Sequence, residues 1–126
     1  LRASFPQRRI GVVFGAGGDR DPRKRAAMGR AAAEGADWCL VTSDNPRSED
    51  PASIAEAVAA GVRAVRGTAE LELDRRSAIR LALTRMQPGE VLLVAGKGHE
   101  DYQEIRGVRH PFDDRQELTE AVQCLA

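Results

Sequence analysis

The sequence predicts an α/β fold, a Rossmann-like three-layer sandwich with a mostly parallel sheet and a small C-terminal hairpin. Three short runs of continuous apolar residues indicate strands buried on both faces, as in parallel sheets. Helical patterns alternate with these runs, which places helices on both faces of the sheet through right-handed crossovers. The chain has 126 residues, 42% of them hydrophobic, which suits one domain with one core.

The strands are predicted from β-branched and aromatic residues without polar alternation. The main strands are Ile10–Phe14, Trp38–Thr42 and Val91–Ala95. Ala64–Arg66 is a candidate for a further short strand. Near the C-terminus, Tyr102–Ile105 and Val108–His110 form a predicted hairpin joined by Arg106 and Gly107.

Four helices are predicted from apolar spacing and from their terminal residues. Proline favours a first helical turn, aspartate favours the capping position before it, and glycine favours the end of a helix. In the last helix, Leu118, Val122 and Leu125 share one apolar stripe. In chain order the predicted helices are Pro22–Gly35, Pro51–Gly61, Asp74–Met86 and Asp113–Leu125.

Composition restricts the partners of this chain. Nineteen basic and nineteen acidic residues balance, so no general attraction to nucleic acid or to an anionic membrane is expected. Cys39 and Cys124 have no zinc-binding spacing, so we expect no metal site, and their use favours a reducing, cytoplasmic compartment. No apolar run approaches the roughly 20 residues that cross a bilayer.

The N-terminal segment, residues 1–6, has no apolar stretch of the kind found in a signal peptide. It is typical of a helix end followed by a short basic loop. We therefore expect a domain cut from a longer protein.

Three unusual loops each follow directly after a predicted buried strand. They are Gly15–Asp21, Ser43–Glu49 and Gly96–Asp101. In open parallel sheets, ligands bind beyond the carboxyl ends of the strands. The three loops should therefore open onto the same edge of the sheet and share one site.

Two of these loops resemble phosphate-binding or metal-binding motifs but lack residues that the motifs require. The first has Arg20 where a dinucleotide fingerprint needs its third glycine, and it lacks the ending of a P-loop. The third has Val91 where a P-loop needs its first glycine, and Gln103 where a zinc-binding HExxH needs its second histidine. Taken singly, each loop also fits an ordinary capped turn or a solvated loop.

The second loop contains Asp44-Asn45-Pro46-Arg47, which taken alone fits an aspartate-initiated turn with an exposed arginine. Arginine also binds a carboxylate through a planar two-point fork that lysine cannot copy. Asp44, together with Glu100 of the third loop, could pair with an ammonium group. One arginine and two carboxylates on one rim would form a receptor for a zwitterion.

Together, these loops resemble the C-terminal domain of the Mur ligases, most closely those of the MurE type. The likeness covers nearly the whole chain, 1–126, as one acceptor-binding domain. Its motifs run from Val13 to Asp21, from Thr42 to Arg47, from Val94 to Gln103, and over Phe112-Asp113-Asp114-Arg115.

In that family, the amine of meso-diaminopimelate attacks an ATP-derived acyl phosphate on UDP-MurNAc-L-Ala-D-Glu, in peptidoglycan biosynthesis. The resemblance implies that Arg47 binds the far carboxylate of the amino acid, that Asp44 and Glu100 hold its far ammonium, and that Gly96 offers backbone groups. L-Lysine lacks that carboxylate, so Arg47 argues for diaminopimelate. The implied substrate-binding residues are Arg20, Asp44, Asn45, Pro46, Arg47, Gly96 and Glu100.

The resemblance also implies what this chain lacks. ATP, Mg²⁺ and the uridine nucleotide would be bound mainly by central and N-terminal domains that are absent here, and we expect no catalytic residue and no activity in this domain alone. Alternatives are the same domain of a lysine-adding MurE, of cyanophycin synthetase or of folylpolyglutamate synthetase. A non-catalytic binding module is the alternative from a different class.

Overall fold

The structure is a computed structural model that describes residues 7–97 and 100–125, apart from the side chain of Leu125. The predicted N-terminal loop and the Gly98-His99 pair of the third loop lie outside the described residues. The strands are β1 (Ile10–Phe14), β2 (Trp38–Val41), β3 (Val91–Val94), β4 (Tyr102–Ile105) and β5 (Val108–Pro111). The helices are α1 (Arg25–Gly35), preceded by a 3-10 turn (Pro22–Lys24), α2 (Pro51–Arg66), α3 (Arg75–Arg85) and α4 (Asp114–Leu125).

The central sheet is parallel, with the strand order β2-β1-β3. Its three strands are those that the apolar runs predicted, so the α/β fold class is confirmed. Beyond β2, Leu71 makes an isolated parallel bridge to Val41. The sheet therefore continues at Leu71 and not at Ala64–Arg66, where a further strand was expected.

Apolar side chains alternate between the two faces of the sheet and form two cores. One core joins Ile10, Val12 and Phe14 of β1 to residues of α1 and α2, including Val58. The other joins Val13 and Leu40 to Ala78 and Ala82 of α3. The layer order is therefore α1 and α2, the sheet, and then α3 with α4 packed against it.

Helices α1 and α2 pack backbone to backbone at two glycines. A Cβ on Gly29 would lie 2.0 Å from the Val58 carbonyl oxygen, and one on Gly61 would lie 1.8 Å from the Ala26 carbonyl oxygen. The prediction that α2 ends at Gly61 is therefore wrong, because this glycine serves helix packing. The helix ends at Arg66 and is capped by Gly67, whose φ of 80° is the left-handed conformation that glycine favours.

Helix α4 packs through a largely polar face. Asp114, Glu117 and Ala121 are buried, whereas Val122 is 52% exposed. Of the predicted apolar stripe, Leu118 is half-buried and Val122 is exposed, while the side chain of Leu125 lies outside the described residues. Arginines of α3 explain the difference, because Arg75 binds Asp114 and Arg76 binds Glu117.

The predicted C-terminal hairpin is present. Strands β4 and β5 pair antiparallel, and the turn uses Arg106 and Gly107 at φ of 51° and 79°. Positive φ at both central residues is the geometry of a type I′ hairpin turn.

No helix within residues 7–97 and 100–125 combines the length and the apolar character of a membrane-spanning segment.

Candidate functional site

The three loops after β1, β2 and β3 meet at one edge of the sheet, as their positions in the sequence predicted. A Cβ on Gly15 would lie 2.3 Å from the carbonyl oxygen of Thr42, so the first two loops touch through their backbones. A Cβ on Gly96 would lie 3.5 Å from the Gly15 carbonyl oxygen and 3.6 Å from Oδ2 of Asp44. The carboxyl ends of all three strands therefore converge.

Polar contacts also join the first loop to the second. Ser48 donates to Asp19 over 2.5 Å, and this hydrogen bond holds the pKa of Asp19 below its ordinary value. Arg25, the first residue of α1, donates to Glu49 over 2.7 Å and lowers the pKa of Glu49, and the Asp19 amide of the first loop donates to the same carboxylate. Since both carboxylates are stabilised in their charged form, the two loops form one unit at neutral pH.

Asn45 lies at the centre of the site and is only 2% exposed. Its side-chain oxygen accepts from the Glu104 amide and from Lys97 Nζ, each over 2.9 Å. Its side-chain nitrogen donates to Glu100 Oε1 over 3.1 Å, and its carbonyl accepts from the Gly18 amide over 2.7 Å. Asn45 thus connects the first loop, the third loop and strand β4.

Lys97 is a buried cation beside Asn45, with none of its side chain exposed. Its ammonium donates to Asp44 Oδ1 over 3.0 Å, to Asn45 Oδ1 over 2.9 Å and to the Tyr102 carbonyl over 2.9 Å. Glu100 Oε1 lies 3.9 Å from the same nitrogen. We call Asp44, Asn45, Gly96, Lys97 and Glu100 the edge cluster.

Two carboxylates of the edge cluster have oxygens beyond those that Lys97 binds. Asp44 is bound through Oδ1, and its Oδ2 lies beside Gly96. Gly96 has a φ of 115°, a conformation that glycine adopts readily and that leaves the carboxylate open. Glu100 keeps a third of its side chain exposed, and its Oε2 is 3.4 Å from the Tyr102 hydroxyl. The cluster can therefore accept hydrogen bonds from an ammonium.

Arg47 lies next to the edge cluster, with 17% of its side chain exposed. Within the described part of the chain, the one hydrogen bond of its guanidinium runs from Nη1 to the Gly18 carbonyl over 2.9 Å. Glu104 Oε2 is 4.0 Å from Nε. Since a guanidinium has five N–H donors, most of the fork remains available for a carboxylate.

The backbone of Arg47 is held in the left-handed region, at a φ of 52°. Its amide donates to the Glu104 carbonyl over 2.9 Å, and its carbonyl accepts from the Arg106 amide over 2.6 Å. A non-glycine residue adopts this conformation where its surroundings hold it. Strand β4 and buried Pro46 therefore fix the direction in which Arg47 leaves the loop.

The structure does not bring Arg20 into the edge cluster. Its side chain is exposed, and no hydrogen bond or ion pair joins it to another residue among those described. It lines a cavity of about 250 Å³ formed by the first loop and the start of α1. Arg20 nevertheless lies near Arg47, because a Cβ on Gly17 would be 2.9 Å from Arg47 Nη1 and 3.6 Å from Arg20 Cγ.

A second buried cation, Arg75 of α3, lies behind the site and is 0% exposed. It donates to the Ser43 carbonyl over 2.9 Å and to the Ala95 carbonyl over 3.1 Å. These carbonyls immediately precede Asp44 and Gly96 in the chain. Arg75 therefore fixes the two points at which the second and third loops leave the sheet.

The described residues do not fit a phosphate cradle or a metal centre. Gly15 and Gly18 bring the loops together, because a Cβ on Gly18 would lie 1.9 Å from the Pro46 carbonyl oxygen. Among residues 7–97 and 100–125, no group of three His, Cys, Asp or Glu side chains could hold a metal ion.

A cavity of about 940 Å³ lies at the opposite edge of the sheet, beside Trp38 and the turn before β3. Of its charged side chains, Arg9 pairs with Glu90, Arg85 pairs with Glu70, and Arg8 donates to the Gly89 carbonyl. No convergent set of available donors faces this cavity in the described part of the chain. The loops after the strands therefore remain the candidate site.

Sequence reasoning missed Lys97 and Arg75 as members of the site. In the sequence, Lys97 belongs to a loop that fails the phosphate motif, and Arg75 belongs to a predicted helix. A lysine between two glycines, directly after a buried strand, was the available signal for Lys97. Arg75 had no such signal, because its partner Asp114 is 39 residues away.

Comparisons with known proteins give a consistent result. The sequence model of the family described as Mur ligase, glutamate ligase domain, matches residues 1–98. UDP-N-acetylmuramoyl-L-alanyl-D-glutamate–2,6-diaminopimelate ligase of Chlorobaculum tepidum is 53% identical over 118 residues, which cover 92% of this chain and 23% of that protein. The ligase of the same name from Caulobacter vibrioides is 55% identical over 112 residues, 89% of this chain and 22% of that protein.

A solved structure of a ligase with that name superposes on this chain with a TM-score of 0.86. The sequence identity is 45%, and the match covers 93% of this chain and 24% of the solved chain. This chain therefore spans about a quarter of the length of the relatives that it matches.

Proposed function

The chain belongs to the Mur ligase family, and from that premise we propose that it is the acceptor-binding C-terminal domain of a ligase that adds meso-diaminopimelate to UDP-MurNAc-L-Ala-D-Glu. The ligase would join the amine of diaminopimelate to the glutamate carboxyl of the nucleotide in an amide bond. This domain would hold the amino acid. The activity serves peptidoglycan biosynthesis.

The proposal rests on one guanidinium and two carboxylates at the same edge of the sheet, each with atoms available to a ligand. Arg47 would bind the far carboxylate of diaminopimelate through its fork. Asp44 and Glu100 would bind the far ammonium, with Gly96 and Asn45 completing the wall and Pro46 fixing the turn. Arg20, which is exposed on the first loop near Arg47, would add a second cation at the carboxylate end of the amino acid.

The same geometry separates diaminopimelate from lysine. Lysine has the far ammonium but not the far carboxylate, so Arg47 would lose its partner. A hydrogen bond to a charged group contributes about 1.5–3 kcal/mol, which corresponds to roughly 10- to 150-fold in affinity. We therefore propose the diaminopimelate-adding ligase and not the lysine-adding one.

We further propose that ATP and Mg²⁺ bind to parts of the ligase outside the residues described here. The glycines of the first loop are occupied by contacts with the second loop, and the described residues hold no metal-binding group of three ligands. Free Cys39 and Cys124 are consistent with a cytoplasmic location.

The test is an acceptor assay on the complete ligase that carries this domain. ADP release is measured with UDP-MurNAc-L-Ala-D-Glu and either meso-diaminopimelate or L-lysine. We expect kcat/KM for diaminopimelate to exceed that for lysine by at least tenfold. A preference for lysine would assign the chain to the lysine-adding ligases, and no turnover with either amino acid would support a non-catalytic module.

A further inference from the structure

Lys97 has no capacity left for a ligand. An ammonium has three N–H donors, and Asp44, Asn45 and the Tyr102 carbonyl accept one each. None of its side chain is exposed. A cation in this position cannot contact an anionic substrate, and yet it lies directly beneath the residues assigned to the amino acid.

We propose that Lys97 is a positioning residue that sets the shape and the charge of the ammonium-binding pair Asp44 and Glu100, and so controls affinity for the amino-acid acceptor. The inference rests on the proposed function, since the acceptor ammonium is the group that this pair binds.

Lys97 acts on Asp44 directly. The 3.0 Å contact holds Oδ1 on the protein side of the carboxylate. The other oxygen, Oδ2, is then directed to Gly96, where the absence of a Cβ leaves room for a ligand. Without the ammonium of Lys97, nothing else among the described contacts of the Asp44 carboxylate would select which oxygen faces the site.

Lys97 acts on Glu100 through Asn45. The ammonium and the Glu104 amide both donate to Asn45 Oδ1, so this atom must be the acceptor of the side-chain amide. The amide nitrogen is thereby turned toward Glu100 and donates to Oε1 over 3.1 Å. If the side-chain amide of Asn45 were reversed, its NH2 group would face two other donors, Lys97 Nζ and the Glu104 amide. Both hydrogen bonds to Asn45 Oδ1 would then be lost. Lys97 therefore helps to orient Glu100 in two ways, together with the Glu104 amide through Asn45 and by its own charge at 3.9 Å from Oε1.

The charge of the cluster also depends on Lys97. Asp44 and Glu100 carry two negative charges, and Lys97 neutralises one. A single negative charge remains, which matches one ligand ammonium. Without Lys97, two carboxylates with limited exposure would repel each other with no interior cation to separate their charges.

The test is a double-mutant cycle in the complete ligase, with KM for meso-diaminopimelate, KM for ATP and kcat measured for each variant. Lys97→Met removes the charge and preserves much of the side-chain volume. We expect it to raise KM for diaminopimelate at least tenfold while KM for ATP stays within twofold. In an Asp44→Asn background, the same change should raise KM for diaminopimelate threefold or less, because its main partner is already neutral.

A matched control is Arg63→Met, which removes a cation from the exposed pair with Glu56 on α2. It should change none of the three parameters by more than twofold. If Lys97→Met does not yield folded ligase, Lys97→Gln keeps two N–H donors without the charge and is assayed in the same way.

The outcomes distinguish the positioning role of Lys97 from the proposed substrate. An unchanged KM for diaminopimelate in the Lys97 variants, or equal effects in both backgrounds, would overturn the positioning role. A wild-type ligase that uses only lysine would refute the proposed substrate. The same cycle would then test the role of Lys97 through KM for lysine. No turnover with either amino acid would overturn both.

Discussion

Arg75 and Asp114 form a two-point ion pair in the interior, with Nε to Oδ1 at 2.8 Å and Nη2 to Oδ2 at 2.7 Å. The pair joins α3 to the first turn of α4. Two further donors of Arg75 bind the Ser43 and Ala95 carbonyls at the exits of β2 and β3. The packing of α4 and the shape of the site therefore depend on one guanidinium.

Removing Asp114 should destabilise the domain strongly. Asp114→Ala would leave Arg75 as a buried, uncompensated charge, and breaking such a pair costs about 3–5 kcal/mol. The free energy of unfolding from urea denaturation measures the loss. Glu56→Ala is the matched control, because its ion pair with Arg63 is exposed and should contribute little to stability. If the two substitutions lowered the free energy of unfolding equally, the buried ion pair would contribute no more to stability than the exposed one.

Gly61→Ala should destabilise the domain although alanine is the better helix former. The added Cβ would meet the Ala26 carbonyl oxygen, so α1 and α2 would have to separate, at a cost of about 1–3 kcal/mol. Gly35→Ala is the control, since a Cβ there meets nothing within 4 Å. It should be neutral or stabilise by up to about 1 kcal/mol. Thermal denaturation of both variants gives the sign of each effect.

The contact between the first and second loops should weaken in acid. The hydrogen bond from Ser48 lowers the pKa of Asp19, and that from Arg25 lowers the pKa of Glu49. Because both pKa values are lowered in the folded state, the contact is complete above the ordinary carboxyl range and is lost as the pH falls through the lowered values. Ser48→Ala should move the pKa of Asp19 upward.

The side-chain carboxyl carbon shift of Asp19, followed by NMR against pH, measures that change. Ser53→Ala serves as the control because Ser53 bonds to Asp50 and not to Asp19. A titration of Asp19 that is the same with and without Ser48 would show that the hydrogen bond does not set its pKa.

The sheet and the location of the site could be predicted because both follow from local patterns. Continuous apolar runs identified β1, β2 and β3, and the rule for parallel sheets placed the three loops at one edge. The prediction that α2 ends at Gly61 was wrong for a physical reason. A glycine in a helical pattern can end the helix or allow a close helix crossing, and only the position of α1 distinguishes the two at Gly61.

The interior cations could not be predicted, because their burial depends on partners far away in the sequence. Lys97 is 53 residues from Asp44 and Arg75 is 39 residues from Asp114. Without those partners, a lysine in a glycine loop and an arginine in a helix are expected in solvent. The polar face of α4 has the same origin, since Asp114 and Glu117 are buried against arginines of α3.

The role of Arg47 is tested by KM for meso-diaminopimelate in the complete ligase with Arg47→Ala. We expect KM for diaminopimelate to rise roughly 10- to 150-fold, the equivalent of about 1.5–3 kcal/mol, while KM for ATP stays within twofold and kcat/KM for lysine is unchanged. A KM for diaminopimelate equal to that of the wild-type ligase would contradict the assignment of Arg47 to the far carboxylate.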